Sequence, residues 1–160
     1  MGQIGTIELK GENIFKGYWG MEEKTKESFK DDGFFITGDL AKKDENGYFT
    51  IVGRDKDMII SGGLNVYPKE IEDVINELPD IKESAVFGVQ HDDFGEAVVA
   101  AVVTTDDKND GSQILDYTKD KIAKYKQPKK IIFMSNLPRN SMGKVQKNKL
   151  RENNKSLFKS

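Results

Sequence analysis

The stretch IISGGLNVYPKEIEDVINELP, residues 59–79, marks a change of pattern along the chain and decides the fold. Its short apolar start runs into Gly62-Gly63, which predicts a short strand followed by a flexible turn. Pro68 suits the first turn of a helix, because the missing N–H would lack a partner there in any case. Apolar residues then recur at helical spacing from Ile71 to Leu78, and a second proline ends the helix.

The pattern after this helix predicts the rest of one small domain. The predicted elements are two strands, a helix, a third strand and a terminal helix, at Ser84–Val89, Ala97–Thr104, Ser112–Tyr125, Lys130–Ser135 and Gln146–Asn153. A polar loop at 106–111 joins the second strand to the helix. The order β-α-β-β-α-β predicts an α+β fold, a small two-layer domain in which a short sheet carries helices on one face.

The pattern before this stretch is mostly β. Gly5–Lys10 alternates as a strand does, and the strands Phe34–Lys42 and Tyr48–Gly53 are joined by the turn residues 44–47. Polar residues dominate the short helix predicted between the first two strands. We therefore predict a domain boundary near Arg54–Asp57, with a β-rich segment at 1–55 and a second domain at 56–160.

The composition excludes several classes of protein. Hydrophobic residues make up 36% of the 160 residues and charged residues 32%, which indicates a modest core. The longest apolar run, Ala97–Val103, is far shorter than the roughly 18–20 residues of a membrane span. No signal peptide is visible, so the expected location is cytoplasmic. The absence of cysteine and the single histidine, His91, disfavour disulfides, thiolate metal sites and a Ser-His triad.

Charge is divided unevenly along the chain. Residues 1–120 carry 13 basic and 26 acidic residues, whereas residues 121–160 carry 12 basic residues and one acidic residue. On charge alone this basic block could be a solvated face, a nucleic-acid patch or the wall of a site for a phosphorylated ligand. Its aromatic residues Tyr125, Phe133 and Phe158 are not spaced as a stacking platform, which disfavours nucleic acid.

Three local motifs contain residue types that suit chemistry. They are Thr37-Gly38-Asp39, the charged run Gly53–Asp57, and PRNSMGK at Pro138–Lys144. Singly, each has an ordinary explanation: a turn, a surface ion pair and a loop lysine without phosphate-loop spacing.

Taken in order with two further motifs, they resemble the adenylate-forming superfamily of acyl-CoA synthetases, luciferases and peptide-synthetase adenylation domains. The ordered series is Gly17-Tyr18-Trp19, Thr37-Gly38-Asp39, Gly53–Asp57, Gly62–Glu72 and Pro138–Lys144. The resemblance covers essentially the whole chain. Within the superfamily, the stretches 60–72, 125–129 and 138–147 are most similar to malonyl-CoA synthetases.

The resemblance implies an acid–thiol ligase that uses ATP with Mg²⁺, a small carboxylic acid, and CoA as co-substrate. Asp39 would accept hydrogen bonds from the ribose hydroxyls of ATP, and Arg54 would contact the nucleotide. Lys144 would bridge the carboxylate and the α-phosphate, where negative charge builds in the transition state.

The same resemblance implies that the C-terminal domain rotates between two half-reactions about a hinge at Lys56. Glycines at 62 and 63 would let the backbone approach the pantetheine arm of CoA. The residues implied in CoA binding are Ser61, Gly62, Gly63, Phe94, Tyr125, Lys126, Gln127 and Lys129. Phe94 would pack near the adenine.

Several parts of such an enzyme are absent from these residues. The superfamily's phosphate loop, acyl pocket and magnesium-binding glutamate belong to an N-terminal domain, which is the expected partner of this chain. We therefore expect the 160 residues alone to be inactive. The alternative is a non-catalytic module that binds CoA or a partner; neither interpretation involves nucleic acid, a membrane span or a metal ligand within this chain.

Overall fold

The computed structural model describes residues 2–105 and 110–159, so most of the predicted polar loop at 106–111 lies outside the described residues. The chain divides into two compact units, one ending at Lys56 and the other starting at Asp57. Each unit is described by itself below.

The first unit is a three-stranded antiparallel sheet with one short helix. Its elements are β1 Ile4–Leu9, α1 Glu22–Ser28, β2 Phe35–Lys43 and β3 Phe49–Arg54. The strand order is β1-β2-β3, so β2 lies in the centre. Asp44 begins the turn between β2 and β3, and its carboxylate accepts the backbone N–H groups of Asn46 and Tyr48.

Apolar side chains of the first unit are largely exposed. Among the described residues of this unit, only Leu40 and Ala41 are buried hydrophobic residues. The exposed large hydrophobic residues are Leu9, Phe15, Trp19, Met21, Tyr48, Phe49 and Ile51. A sheet that buries so little apolar surface gains little stability of its own.

The second unit contains a five-stranded sheet and three short helices. Its elements are β4 Ile59–Ser61, β5 Leu64–Val66, α2 Pro68–Ile75, β6 Ile81–His91, β7 Gly95–Thr104, α3 Ser112–Lys119, β8 Lys130–Phe133 and α4 Lys147–Asn153. The path through the sheet is β5-β4-β7-β6, and β8 joins β7 in parallel. No helix in the described part of the chain is both long enough and apolar enough to cross a membrane.

The predicted α+β class is confirmed, but the core of the second unit lies on both faces of the β6–β7 hairpin, so the helices are not confined to one face as predicted. On one face Val86, Val98 and their neighbours pack against apolar residues of α2 and α3. On the other face Phe87 and Val99 pack with Leu150 of α4. The short α4 therefore adds a layer opposite the two longer helices, because a hairpin that is apolar on both sides needs cover on both sides.

Apart from shifts of a few residues at the ends of several elements, two local details differ from the sequence prediction. The turn at 62–63 folds the chain back into β5, which was not predicted. A strand of three residues is too short to show alternation of apolar and polar residues in the sequence. The predicted helix 112–125 ends at Lys119, because the backbone becomes extended at Ala123 and again at Gln127, with ψ of 146° and 135°. Pro128 explains the extended Gln127, since a proline disfavours helical geometry in the residue before it.

Candidate functional site

Asp39 and Arg54 face each other across neighbouring strands of the first unit. They are register partners in β2 and β3, and the Nε of Arg54 lies 2.9 Å from Oδ1 of Asp39. Thr37 supports the irregular part of β2 before Asp39, where the register with β1 shifts. Its hydroxyl accepts the backbone N–H of Asp39 and donates to the carbonyl of Ile7. Both charged side chains remain partly exposed, so the carboxylate and the guanidinium can still be reached from solvent.

The glycine turn that joins β4 to β5 has the geometry of a tight hairpin. Gly62 and Gly63 have φ of +59° and +76°, the sign that a two-residue type I′ turn requires. The Gly62 N–H donates to the carbonyl of Phe94 at 2.9 Å. Apart from its chain neighbours, no described atom lies within 4 Å of a β-carbon placed at either glycine. The backbone of this turn is therefore open to approach from outside.

Phe94 and Lys129 lie together beside this turn. The Nζ of Lys129 is 4.9 Å from the centroid of the Phe94 ring. The centroid of the His91 ring lies 4.8 Å from the same Phe94 centroid. Phe94 and Lys129 are both exposed. We call the group formed by Gly62, Gly63, Phe94 and Lys129 the glycine-turn surface, because it offers backbone, an aromatic face and a cation on one side of the unit.

The remaining residues implied in CoA binding have other partners in the structure. Ser61 is buried and is the register partner of Gly95. Lys126 donates to both carboxylate oxygens of Glu70 at 2.7 Å. The Gln127 amide donates to the carbonyl of Ile122 at 3.3 Å, which holds the segment after α3 in place. Tyr125 is exposed, with the Nζ of Lys126 5.7 Å from its ring centroid.

Lys144 lies on a small hairpin between Leu137 and α4. The Gln146 N–H donates to the carbonyl of Pro138, and Arg139 and Val145 form an antiparallel bridge. One step further out, the Asn140 N–H donates to the carbonyl of Lys144 at 2.9 Å. The Lys144 side chain is exposed and makes no hydrogen bond or ion pair with any residue that the structure describes.

The Lys144 hairpin and the glycine-turn surface attach to opposite ends of β6. Arg139 forms an ion pair with Glu83, near the start of that strand. His91, at the end of β6, is the register partner of Gly95, which directly follows Phe94. Eight residues separate Glu83 from His91, so the two attachment points are about 26 Å apart along the strand. The two surfaces are therefore attached to this unit at well-separated places.

Lys56 belongs to a short 3-10 turn, Asp55–Asp57, at the division between the two units. Its side chain is exposed. Asp57, the next residue, belongs to the second unit, where its carboxylate lies 3.6 Å from Arg151 of α4. The position predicted as a hinge is therefore free of core packing, while the residue after it is held by the second unit.

Five of the twelve basic residues in the basic block pair with acids from the earlier part of the same unit. These ion pairs, between residues far apart in the sequence, are Lys121–Glu77, Lys126–Glu70, Arg139–Glu83, Lys147–Glu72 and Arg151–Asp57. The hydrogen bond from Lys121, with a further one from Tyr117, lowers the pKa of the Glu77 carboxyl. Part of the uneven distribution of charge along the sequence is therefore balanced by ion pairs within the folded unit. Lys129 and Lys144 remain exposed cations at the surfaces described above.

Sequence reasoning missed two residues that shape the Lys144 hairpin. Asn140 accepts backbone N–H groups with its side chain, and Arg139 donates to the carbonyl of Gly143 at 2.6 Å. The spacing N-x-x-G, with asparagine at the first turn position and glycine at the fourth, is a turn signal that could have identified Asn140. Arg139 has no such signal, because Glu83 lies 56 positions away.

No group of three or more histidine, aspartate or glutamate side chains among residues 2–105 and 110–159 is arranged to hold a metal ion. The acids of the second unit that lie in the motif regions, such as Glu70 and Glu72, are paired with lysines. The described residues therefore offer single carboxylates for hydrogen bonding to a ligand, and Asp39, in the motif Thr37-Gly38-Asp39, is one that remains partly exposed.

Comparison with known proteins gives a consistent set of relatives. Residues 70–144 match the model of the AMP-binding enzyme C-terminal domain. The long-chain-fatty-acid–CoA ligase FadD13 of Mycobacterium tuberculosis is 45% identical over 92% of this chain and 29% of the relative. The indoleacetate–CoA ligase of Aromatoleum aromaticum is 42% identical over 94% of this chain and 30% of the relative.

Solved structures agree with these relatives. The ATP-bound MatB from Rhodopseudomonas palustris superposes with a TM-score of 0.91 at 58% identity and covers 99% of this chain and 32% of that one. The o-succinylbenzoate CoA synthetase MenE from Bacillus subtilis, in complex with its acyl-adenylate intermediate, has a TM-score of 0.87 at 36% identity, over 93% of this chain and 30% of that one. The chain thus spans about a third of the length of the proteins it matches.

Proposed function

Since residues 70–144 belong to the C-terminal domain family of the AMP-binding enzymes, we propose that this chain is the C-terminal part of an ATP-dependent acyl-CoA synthetase. We use "full-length enzyme" for the chain joined to the N-terminal two thirds that its relatives carry. The observation that carries the proposal is the position of the Lys144 hairpin and the glycine-turn surface at opposite ends of β6. Two separate surfaces of this kind suit an enzyme with two half-reactions that take place in turn.

In the first half-reaction, a carboxylate oxygen of the acid attacks the α-phosphorus of ATP and pyrophosphate leaves. Lys144 supplies a positive charge where negative charge accumulates, and it acts electrostatically because its ammonium has no base beside it among the described residues. Asp39 accepts hydrogen bonds from the ribose hydroxyls, while Arg54 holds that carboxylate in place and contacts the nucleotide. Mg²⁺, which neutralises the phosphates, would be held by the N-terminal part.

In the second half-reaction, the sulfur of CoA attacks the acyl carbonyl, the thiol proton is lost and AMP leaves. We propose that the second unit turns about Lys56 so that the glycine-turn surface replaces the Lys144 hairpin at the acyl-adenylate. The open backbone at Gly62 and Gly63 would flank the pantetheine arm. Phe94 would stack near the adenine, and Lys129 would meet the phosphates of CoA.

Lys126 and Gln127 have a different part in this proposal from the one that the motif match implies. Glu70 engages the ammonium of Lys126, and the carbonyl of Ile122 engages the amide of Gln127. Both would therefore shape the segment that presents Tyr125 and Lys129, and Lys126 would meet CoA only by exchanging its partner. The buried Ser61 would support the glycine turn from below.

We propose malonate as the acid, on the strength of the motif stretches that resemble malonyl-CoA synthetases. The identity to MatB, 58%, also exceeds the 45% and 42% to the fatty-acid and indoleacetate ligases, which disfavours the acids that those names state. The second carboxylate of malonate would be read by the N-terminal part, which has no counterpart in these residues.

The exposed apolar residues of the first unit support its assignment as the end of the large N-terminal domain. Trp19, Phe49 and Ile51 would be covered by the preceding polypeptide, which would complete a core that the first unit lacks. The proposal thus treats the first unit as part of a larger domain and the second unit as the mobile C-terminal domain.

The test compares the full-length enzyme with the 160-residue chain. We expect malonate-dependent exchange of pyrophosphate into ATP, followed by malonyl-CoA formation, for the full-length enzyme and neither for the chain alone. Titration of the chain with CoA separates the alternative: CoA binding by the chain combined with no activity of the full-length enzyme would indicate a non-catalytic binding module. Pyrophosphate exchange by the chain alone would overturn the proposal.

A further inference from the structure

We propose that Asn140 is a positioning residue that sets the backbone from which Lys144 reaches its substrate. The inference rests on the proposed function of Lys144 in adenylate formation, and it assigns Asn140 no contact with substrate. Asn140 and Lys144 are joined twice through the backbone of Lys144: the Asn140 N–H donates to the Lys144 carbonyl, and the Lys144 N–H donates to the Asn140 Oδ1, each at 2.9 Å.

Asn140 makes two more hydrogen bonds at the tip of the hairpin. Its Oδ1 also accepts the Met142 N–H at 3.0 Å, and its carbonyl accepts the Gly143 N–H at 3.0 Å. One residue therefore contacts three of the next four backbone units. An alanine at this position would keep the two bonds made by its backbone and would lose the two made by the side chain.

The conformation of the tip explains why asparagine suits this position. Gly143 has φ of +78°, while no described residue other than glycine has a positive φ. The turn is closed by the hydrogen bond between Asn140 and Gly143, and Gly143 itself is left-handed. This combination matches a type I turn with a glycine bulge. Asparagine at the first position of such a turn adds a side-chain acceptor that copies a backbone hydrogen bond.

The base of the hairpin is anchored separately from its tip. One Arg139 nitrogen donates to the Gly143 carbonyl at 2.6 Å, and another pairs with Glu83 of β6. Val145 packs against the apolar cluster on the α4 face of the sheet. The base is thus tied to the domain core, and the Asn140 side chain is what connects the Lys144 N–H to that anchored frame.

This arrangement removes one source of disorder from the adenylation step. The Lys144 side chain is long and exposed, so its own rotamers must be ordered when it meets the substrate. If the backbone were also free, its conformations would have to be ordered in the same step. When the hairpin is already closed, only the side-chain rotamers of Lys144 determine where its ammonium lies. The smaller number of possible positions favours correct placement of the charge.

The first experiment measures the hairpin directly in the 160-residue chain. Amide exchange rates of Met142 and Lys144 are compared by NMR in wild type, Asn140→Ala, Asn140→Asp and Ser141→Ala. We expect several-fold faster exchange at both amides in Asn140→Ala, wild-type rates in Asn140→Asp because a carboxylate accepts both N–H groups, and wild-type rates in the Ser141→Ala control. Unchanged rates in Asn140→Ala would overturn the inference.

The second experiment measures the consequence in the full-length enzyme. Asn140→Ala should lower kcat of pyrophosphate exchange by about 10- to 100-fold, the scale of a small misplacement of a catalytic group. KM for ATP and thioester formation from supplied malonyl-adenylate should stay at wild-type values, and Asn140→Asp should recover most of the lost kcat. A wild-type kcat, or equal losses in both half-reactions, would overturn the inference.

Lys144→Ala distinguishes the failure of this inference from the failure of the proposed function. If Lys144→Ala cripples pyrophosphate exchange while Asn140→Ala does not, Asn140 has no positioning part and the proposed function stands. If Lys144→Ala leaves pyrophosphate exchange at the wild-type rate, the proposed role of Lys144 is wrong, and the positioning role of Asn140 is overturned with it.

Discussion

The ammonium of Lys147 lies 2.6 Å from the carboxylate of Glu72, and each of these side chains is only 17% exposed. The same Oε1 atom of Glu72 accepts the backbone N–H of Val86 at 2.7 Å. One carboxylate therefore connects three elements: α2, which carries Glu72, the strand β6, and the start of α4. Because α4 follows directly after the Lys144 hairpin, this pair also holds the frame on which that hairpin stands.

Replacing Glu72 by alanine should destabilise the second unit by about 2–3 kcal/mol, because it leaves the Val86 N–H and a mostly buried lysine without their acceptor. Glu72→Gln should cost less, since the amide oxygen can still accept the Val86 N–H. Urea unfolding of the chain, followed by circular dichroism, measures both. Asp73→Asn is the matched control, because the Lys69–Asp73 pair is exposed and should contribute less than about 1 kcal/mol. Equal effects of the Glu72 and Asp73 replacements would contradict this account.

Lys144→Ala in the full-length enzyme should lower the rate of adenylate formation by about 10²–10³-fold, because it removes one charge from the transition state. Thioester formation from supplied acyl-adenylate should be largely unchanged. Acetylation of Lys144 should have the same effect, since it removes the same charge. Lys149→Ala is the control, because Lys149 is also an exposed lysine but lies on α4 instead of the hairpin. This variant should leave both half-reactions unchanged. Equal losses in both half-reactions of Lys144→Ala would show that its assigned role is wrong.

Lys56→Pro should preserve adenylate formation and suppress thioester formation in the full-length enzyme. Proline restricts φ to near −65° and removes a backbone donor, so we expect it to hold one orientation of the second unit. The exposed position of Lys56 in a short turn means that neither unit should unfold. Single-turnover measurement of each half-reaction gives the result, with Lys56→Ala as the control for loss of the charge. Wild-type rates in both half-reactions would exclude Lys56 as the hinge.

Gly63→Ala should reduce thioester formation more than adenylate formation. Its φ of +76° makes a β-carbon cost about 1–2 kcal/mol, and that carbon would project into the open space proposed for the pantetheine arm. Gly47→Ala is the matched control, because Gly47 has a similar φ of +89° in a turn of the first unit. Both variants should lose similar stability, but only Gly63→Ala should raise KM for CoA. A normal KM for CoA in Gly63→Ala would contradict the proposed approach of CoA to this turn.

The sequence was most informative where short-range signals act. Pro68 and the helical spacing after it predict α2, and the structure has a helix at Pro68–Ile75. The apolar run Ala97–Val103 predicts a strand that is buried on both faces, and all of its residues are buried in β7. The ordered motifs also predict a resemblance to the adenylate-forming superfamily, and residues 70–144 match the model of the AMP-binding enzyme C-terminal domain. These signals are local in sequence, so they can be read without knowing the path of the chain.

The tertiary structure decided which side chains remain available for ligands. From sequence, Lys126 and Lys129 are both implied in CoA binding, and nothing local distinguishes their charges from each other or from that of Lys144. The structure pairs Lys126 with Glu70, which lies 56 positions away, and leaves the other two exposed. The prediction that helix 112–125 continues to Tyr125 was wrong: the helix ends at Lys119, and the backbone is extended at Ala123 and at Gln127, the residue before Pro128.

Local patterns in the sequence were therefore enough to predict the resemblance to the adenylate-forming superfamily, the α+β class and Lys144 as the candidate catalytic lysine. The separation of Lys144 from the glycine turn, the closed hairpin around Asn140 and the pairing of Glu72 with Lys147 were decided only by the tertiary structure. Turn and helix preferences depend on neighbouring residues, whereas ion pairs and the spacing of two surfaces depend on where the folded sheet brings distant parts of the chain.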